Sequence, residues 1–154
     1  MGNFFIDVIQ KDIRYHSNAR IADLALLEPV TRQAVQNIVR DAAALNLPVM
    51  VFETYRSQER QALLFAQHAT QLQKVGVHHY GLACDLVRLV DGEPSWKASY
   101  TFLGMLAHRY NLVWGGDWSS FIDADHVQRI AVSDQPRLFA GIWYPDPDDG
   151  PIVA

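Results

Sequence analysis

The sequence predicts an α+β fold with a small, mostly antiparallel sheet and flanking helices. Helical stripes and short apolar runs are interspersed along the chain. The connections between the strand-like runs are irregular, unlike the repeated crossovers of a parallel sheet. The 154 residues are enough for a sizeable core, since roughly 70% of the unfolded surface can be buried at this length. They are expected to form one domain over 1–154, with its motif-bearing core at about 30–130 and a C-terminal strand or irregular tail at 131–154.

The first 27 residues are mixed and give no clear element. Glu28-Pro29 starts a helix, because proline is tolerated in the first turn. Val35, Ile38, Ala42 and Leu45 form its apolar stripe, and Asn46 and Pro48 end it. Residues 49–53, Val-Met-Val-Phe-Glu, read as a short buried strand. Ser57 caps a second helix over about 58–73, with Ala62, Phe65, Ala69 and Leu72 inward, and Gly76 breaks the pattern. Residues 82–90 are apolar and β-branched enough for a strand, followed by the turn Asp91-Gly92-Glu93-Pro94. A third helix over about 96–110 places Trp96, Tyr100, Leu103 and Ala107 on one face. Leu112-Val113-Trp114 is a strand, Gly115-Gly116-Asp117 a turn, and 124–130 another strand. Pro145, Pro147 and Pro151 mark an irregular tail.

Composition narrows the function. A formal net charge of −4 gives no basic face for phosphates, so no nucleic-acid partner is expected. No apolar run approaches the ~20 residues needed to span a bilayer, so no membrane insertion is expected. The N-terminus lacks a basic n-region, and Ile6 removes the myristoylation context of Gly2. Synthesis in the cytoplasm without a signal peptide is the expectation. The single cysteine, Cys84, permits no intramolecular disulfide.

Chemistry concentrates in His78-His79-Tyr80-Gly81-Leu82-Ala83-Cys84-Asp85. An imidazole just before a strand and a carboxylate on it can turn toward one point. His126, at the start of another strand, is a candidate third ligand. Two imidazoles and a carboxylate, with a fourth position open to water, make a catalytic zinc arrangement. Spacing alone leaves other readings open. His78 can be a loop histidine bonded to backbone, Asp85 can pair with Arg88 or another cation, and His126 can cover a strand end. Asp85 is the hardest to explain without a partner, because a carboxylate in an apolar strand is costly unless paired or metal-bound.

The string His78-x-x-Gly81-x-Ala83-x-Asp85 resembles the zinc-binding motif of the D-Ala-D-Ala carboxypeptidase and L-alanyl-D-glutamate endopeptidase family. Tyr55-Arg56-Ser57 with Gln61 resembles another segment of that family. So does Trp114-Gly115-Gly116-Asp117-Trp118, followed by Phe121 and Asp123-x-x-His126. The likeness covers roughly 30–130 and is strongest to the phage endolysin branch. It implies a hedgehog/DD-peptidase-like fold and one zinc per chain, held by His78, Asp85 and His126. It implies a peptidoglycan stem peptide as partner and a monomer acting on the bacterial cell wall after release or delivery.

The same resemblance implies Asp123 as general base toward a zinc-activated water, with Asp125 as competitor, and Arg56 as oxyanion partner. An extended 124–128 would turn Asp125 away from His126. Gln61 supports Arg56 or binds substrate. Arg56 can instead pair with Glu53 or Glu59. Trp114 and Trp118 are core, pocket wall or substrate contacts, His79 a rim or exposed residue, and Cys84 points into the core. The implied reaction is cleavage of the L-Ala–D-Glu bond. The alternatives are a DD-carboxypeptidase or a non-catalytic zinc-containing wall-binding module. The chain departs from the family at Gly76, where serine is common, at Gln128, where glutamate is frequent, and at Thr54, where glycine is usual.

Overall fold

The computed structural model describes residues 2–70 and 73–149. Leu72 and Pro151, assigned above to a helix face and the tail, lie outside the described residues. The sheet is wholly antiparallel among the described residues. Its strands are β1 (Val49–Glu53), β2 (Ala83–Val90), β3 (Glu93–Ser95), β4 (Val113–Trp114) and β5 (His126–Gln128). Their order is β1-β2-β5-β4, with β3 pairing back onto β2. Among the described residues four α-helices accompany them: α1 (Pro29–Ala44), α2 (Gln58–Ala66), α3 (Thr101–Arg109) and α4 (Gln135–Phe139). None is long and apolar enough to cross a membrane.

Helix α1 begins where its sequence dictates. The Glu28 carboxylate accepts from the backbone N–H of Val30 and Thr31 and from the Thr31 hydroxyl, so two orphan donors are satisfied. Val35, Ile38 and Ala42 are fully buried against α3 and the sheet. Leu45 falls outside that stripe. It is the C-cap and is 47% exposed, because Asn46 takes a positive φ and turns the chain away.

Strand β2 is the hub. β1 pairs with it through a bulge between Val51 and Glu53, which puts Glu53 opposite Asp85. On the other edge, Asp85 is the direct partner of His126. Three ionisable residues from three strands therefore stand in a row across the sheet. Cys84, the alternate residue, points into the apolar core as expected.

Several expected boundaries change. Helix α2 stops at Ala66, and His68 has a positive φ just beyond it. Ala62, Phe65 and Ala69 are exposed, and the buried residue is Gln61. This helix docks through polar contacts at its start, so an apolar stripe does not describe it. The turn after β2 is shorter than four residues. Asp91 and Gly92 both take positive φ, which suits a tight hairpin, and Glu93-Pro94 belong to β3. Helix α3 starts at Thr101. Tyr100, Leu103 and Ala107 are buried, but Trp96 is half exposed and rests edge-on against Phe52. The segment after β5 holds the short helix α4 in place of a strand.

At the N-terminus, a short π-helical segment (Phe5–Ile9) and a 3-10 turn (Leu24–Leu26) occupy the stretch that gave no clear element. Ile9, Ile21, Leu26 and Tyr55 form a second buried cluster there. The chain crosses next to the site, since the Tyr55 hydroxyl donates to the Tyr15 carbonyl.

Candidate metal centre

His78 lies in a 3-10 turn (Val77–Tyr80) that ends at Gly81, which takes a left-handed φ of 72°. A Cβ at Gly81 would stand 2.7 Å from the Ile9 side chain and 2.8 Å from the Leu26 carbonyl oxygen. Glycine is required there both for its conformation and for its lack of a side chain. The turn aims the His78 ring inward, where Nδ1 donates to the Thr54 carbonyl at 2.8 Å. Nε2 then faces Asp85 Oδ1 at 3.2 Å.

His126 approaches from β5. Its Nδ1 lies 3.4 Å from the same Asp85 oxygen, and its ring stands 5.1 Å from that of His78. Its Nε2 is 2.8 Å from Gln128 Oε1. The residues His78, Asp85 and His126 are all buried, and their donor atoms lie within 4.8 Å of one another. Asp85 therefore pairs with histidines and Arg56, and the pairing with Arg88 does not form.

The donor chemistry fits a cation. The Thr54 carbonyl claims the proton on the far nitrogen of His78, so a neutral ring presents a lone pair to a carboxylate. Lone pairs gathered around one point repel unless a proton or a metal ion sits among them. Where protons take the place of an ion, burial alone would still raise the Asp85 carboxyl, but the charge on a protonated His78 and hydrogen bonds from both protonated imidazoles hold it far below the usual carboxylate range. Burial likewise works against a charged His126, yet Asp85 and then Asp123 outweigh it and raise that imidazole.

A second acidic group borders the first. Asp85, Asp123 and Asp125 also bring carboxylate oxygens within 4.8 Å of one another. Residues 124–125 form a turn, so the strand alternation that would turn Asp125 away from His126 does not apply there. Burial, then the carboxylates of Asp85 and Asp123, push Asp125 upward. Asp123 is the half-exposed member, 3.8 Å from His126 Nδ1. Its backbone N–H donates to the Gly115 carbonyl, and a Cβ on Gly115 would stand 2.2 Å from the Asp123 carbonyl oxygen.

Residues 70–129 match a family model described as D-alanyl-D-alanine carboxypeptidase. The L-alanyl-D-glutamate peptidase of Listeria phage A118 is 28% identical over 118 residues, 74% of this chain and 42% of that protein. The peptidoglycan L-alanyl-D-glutamate endopeptidase CwlK of Bacillus subtilis (strain 168) is 26% identical over 151 residues, 82% of this chain and 90% of that one. The family model spans residues 70–129 and both relatives are L-alanyl-D-glutamate peptidases, so these are the proteins the chain resembles. The chain thus spans less than half the length of the phage relative and most of the Bacillus one. The fold agrees. The Serratia marcescens L-Ala D-Glu endopeptidase ChiX superposes with a TM-score of 0.60 at 23% identity, covering 73% of this chain and 90% of that one.

The other residues singled out in the sequence fall into place unevenly. Arg56 takes the paired reading. Its Nη2 is 2.8 Å from Glu53 and 3.4 Å from Asp85 Oδ2, while Nη1 donates to Gln61 at 3.3 Å. Glu53 also binds Arg60 at 3.0 Å. Gln61 is thus a support for Arg56. Trp114 packs over Gly104 and Gly116, and its indole N–H donates to the Ala124 carbonyl at 2.6 Å. That makes it a brace for the loop. Trp118 is the tryptophan beside the site, with its ring 5.2 Å from His126.

His79 is not a rim residue. It is buried among Phe5, Tyr15 and Tyr55, and Nδ1 is bonded to the Arg56 carbonyl. Spacing offers Glu53 as a partner of Arg56 but gives no sign that it faces Asp85, nor that Gln128 bonds to His126. Glu53 closes an apolar strand run one bulge away from Asp85, a signal visible only once the pairing is known.

Proposed function

We propose that the protein is a zinc-dependent peptidoglycan peptidase that hydrolyses the L-Ala–D-Glu amide of stem peptides. The observation that carries this is the convergence of His78 Nε2, His126 Nδ1 and an Asp85 oxygen beside a half-exposed Asp123. Two imidazoles and one carboxylate favour zinc, and the acidic neighbours share Asp85 with them, so one ion per chain is the reading. A zinc ion held by His78, Asp85 and His126 would supply Lewis acidity there, for polarising the scissile carbonyl and lowering the pKa of water toward neutral.

The chain's own residues do the rest. Asp123 takes a proton from the attacking water and passes it to the leaving amine. Arg56 holds Asp85 Oδ2, so that Oδ1 stays toward the imidazoles, and the accessible part of its guanidinium receives charge developing on the carbonyl oxygen. Gln61 fixes Arg56 from the side of α2. Trp118 walls the site at His126. The substrate is the cell wall, reached after release or delivery, and a single chain carries the whole site.

Zinc-loaded protein is incubated with purified sacculi, and the products are separated and weighed by mass spectrometry. New N-terminal D-Glu fragments are expected. Zinc-bound protein that releases no stem-peptide product would sink the reading. The family model's description favours one second reading, a DD-carboxypeptidase. In that case the stem peptide loses its terminal D-Ala and keeps its L-Ala–D-Glu bond.

A further inference from the structure

We propose that Gln128 is a positioning residue for the metal centre, fixing His126 as the Nε2–H tautomer so that Nδ1 is its ligand atom. This rests on the metal reading above and adds a residue to it. The backbone carbonyl of Ile130 lies 2.8 Å from one end of the Gln128 amide. A carbonyl only accepts, so that end must be the NH2 group. The same NH2 reaches Gln135 Oε1 at 3.1 Å, at the start of α4. Gln128 Oε1 is thereby turned to His126, 2.8 Å from Nε2. A carbonyl oxygen at that distance requires Nε2 to carry the proton. The lone pair then sits on Nδ1, the nitrogen facing Asp85.

Gln128 is 1% exposed, so water cannot substitute for its oxygen. His78 is fixed by a shorter route, directly from the Thr54 carbonyl. The two imidazoles thus offer opposite nitrogens, Nε2 from His78 and Nδ1 from His126, each selected by a backbone carbonyl. For His126 the selection is relayed through one amide. An amide suits the relay because it accepts at one end and donates twice at the other. A carboxylate would accept from His126 equally well, but would set an oxygen against the Ile130 carbonyl.

The test compares wild type, Gln128→Met and Gln128→Glu in the full chain. Methionine preserves volume and removes the acceptor, whereas glutamate preserves the acceptor. Zinc affinity is measured against a competing chelator, and ring-nitrogen protonation by long-range proton–nitrogen NMR of histidine-labelled protein. We expect a Nε2–H signal for His126 in wild type and in Gln128→Glu. Gln128→Met should lose that preference and bind zinc about 10- to 100-fold more weakly, the usual effect of removing a ligand's outer partner.

A purely packing role predicts the reverse, with methionine retaining affinity and glutamate losing it, and would overturn the proposal. So would a Nδ1–H signal in zinc-loaded wild type. If wild type binds no zinc at all, the metal reading fails. The tautomer in metal-free protein at alkaline pH then still decides the part assigned to Gln128. Should the methionine variant not fold, the glutamate variant and wild type carry the same decision through the NMR signal.

Discussion

Arg56 Nη2 lies between two carboxylates, 2.8 Å from Glu53 and 3.4 Å from Asp85, the strand residues that the β1 bulge sets opposite each other. Like charges facing across a ladder repel, and this guanidinium is what makes the pair tolerable. Arg56→Ala should lower kcat/KM by about 10²–10³-fold through loss of an oxyanion donor. It should also lower the melting temperature, because Glu53 keeps only Arg60. Arg56→Lys retains charge but not the fork and should fall between. Steady-state kinetics on stem peptide and thermal denaturation check both. An alanine variant with wild-type kcat/KM would remove Arg56 from the chemistry.

Asp123 and Asp125 can be told apart by what each variant retains. Asp123→Asn should bind zinc nearly as wild type does and lose about 10²–10⁴-fold in kcat, the range for a general base. Asp125→Asn should leave most of kcat, since the more buried Asp125 carboxyl is pushed toward its neutral form by burial and by Asp85 and Asp123. Kinetics and chelator competition on the same samples decide. A reversal of the two results would move the base to Asp125.

Zinc affinity should weaken in mild acid. A neutral His126 is needed for binding, and in the metal-free protein Asp85 and Asp123 raise that imidazole despite its burial. Protons therefore compete at a higher pH than for an ordinary histidine.

Stability of the metal-free protein should run the other way. A group whose folded pKa is raised contributes fully below its unfolded value, and that contribution is lost as pH rises through the folded one. His126 and Asp125 are both raised, Asp125 to about 8, so metal-free protein should lose melting temperature as pH rises from about 4, where an unfolded aspartate ionises, through about 8. Asp85 is lowered, so its contribution disappears only on acidification below the carboxylate range. Excess zinc should restore stability at neutral pH, by about 2.7 kcal/mol at a hundred times Kd. A metal-free melting temperature that rises over this window would contradict the assignment.

Gly104→Ala should destabilise without touching the ligands. A Cβ there would stand 2.3 Å from the Trp114 ring, and such overpacking costs about 1–3 kcal/mol. Because Trp114 braces Ala124, the variant should also lose activity modestly while retaining zinc. Thermal denaturation and kinetics test this, and an unchanged melting temperature would mean that Trp114 can move freely.

What was legible in the sequence divides by range. Helix α1, β1 and β2 follow from local periodicity and capping, and the Cys84/Asp85 alternation follows from strand geometry. Their burial needs no knowledge of distant residues. Residues 78, 85 and 126 became a site only through ordered motifs, because no local rule spans that separation. The inward face of α2 failed for a physical reason. A nine-residue helix anchored by Ser57, Arg60 and Gln61 is held by polar contacts, which hydrophobic spacing does not register. Gln128 was visible only as a substitution for glutamate. Its meaning depends on the Ile130 carbonyl two residues on, and so on the path of the chain after β5.

Asp85 and His126 are direct partners in the β2–β5 ladder, and this makes the ion a proofreader of strand pairing. A slip of one residue would set Cys84 or Leu86 opposite His126 and send the carboxylate to the other face. The misaligned chain would keep most of its backbone hydrogen bonds and forfeit its metal. Among otherwise compact forms, zinc would then single out the correctly aligned one, and metal uptake during refolding would time the moment at which these two strands find each other.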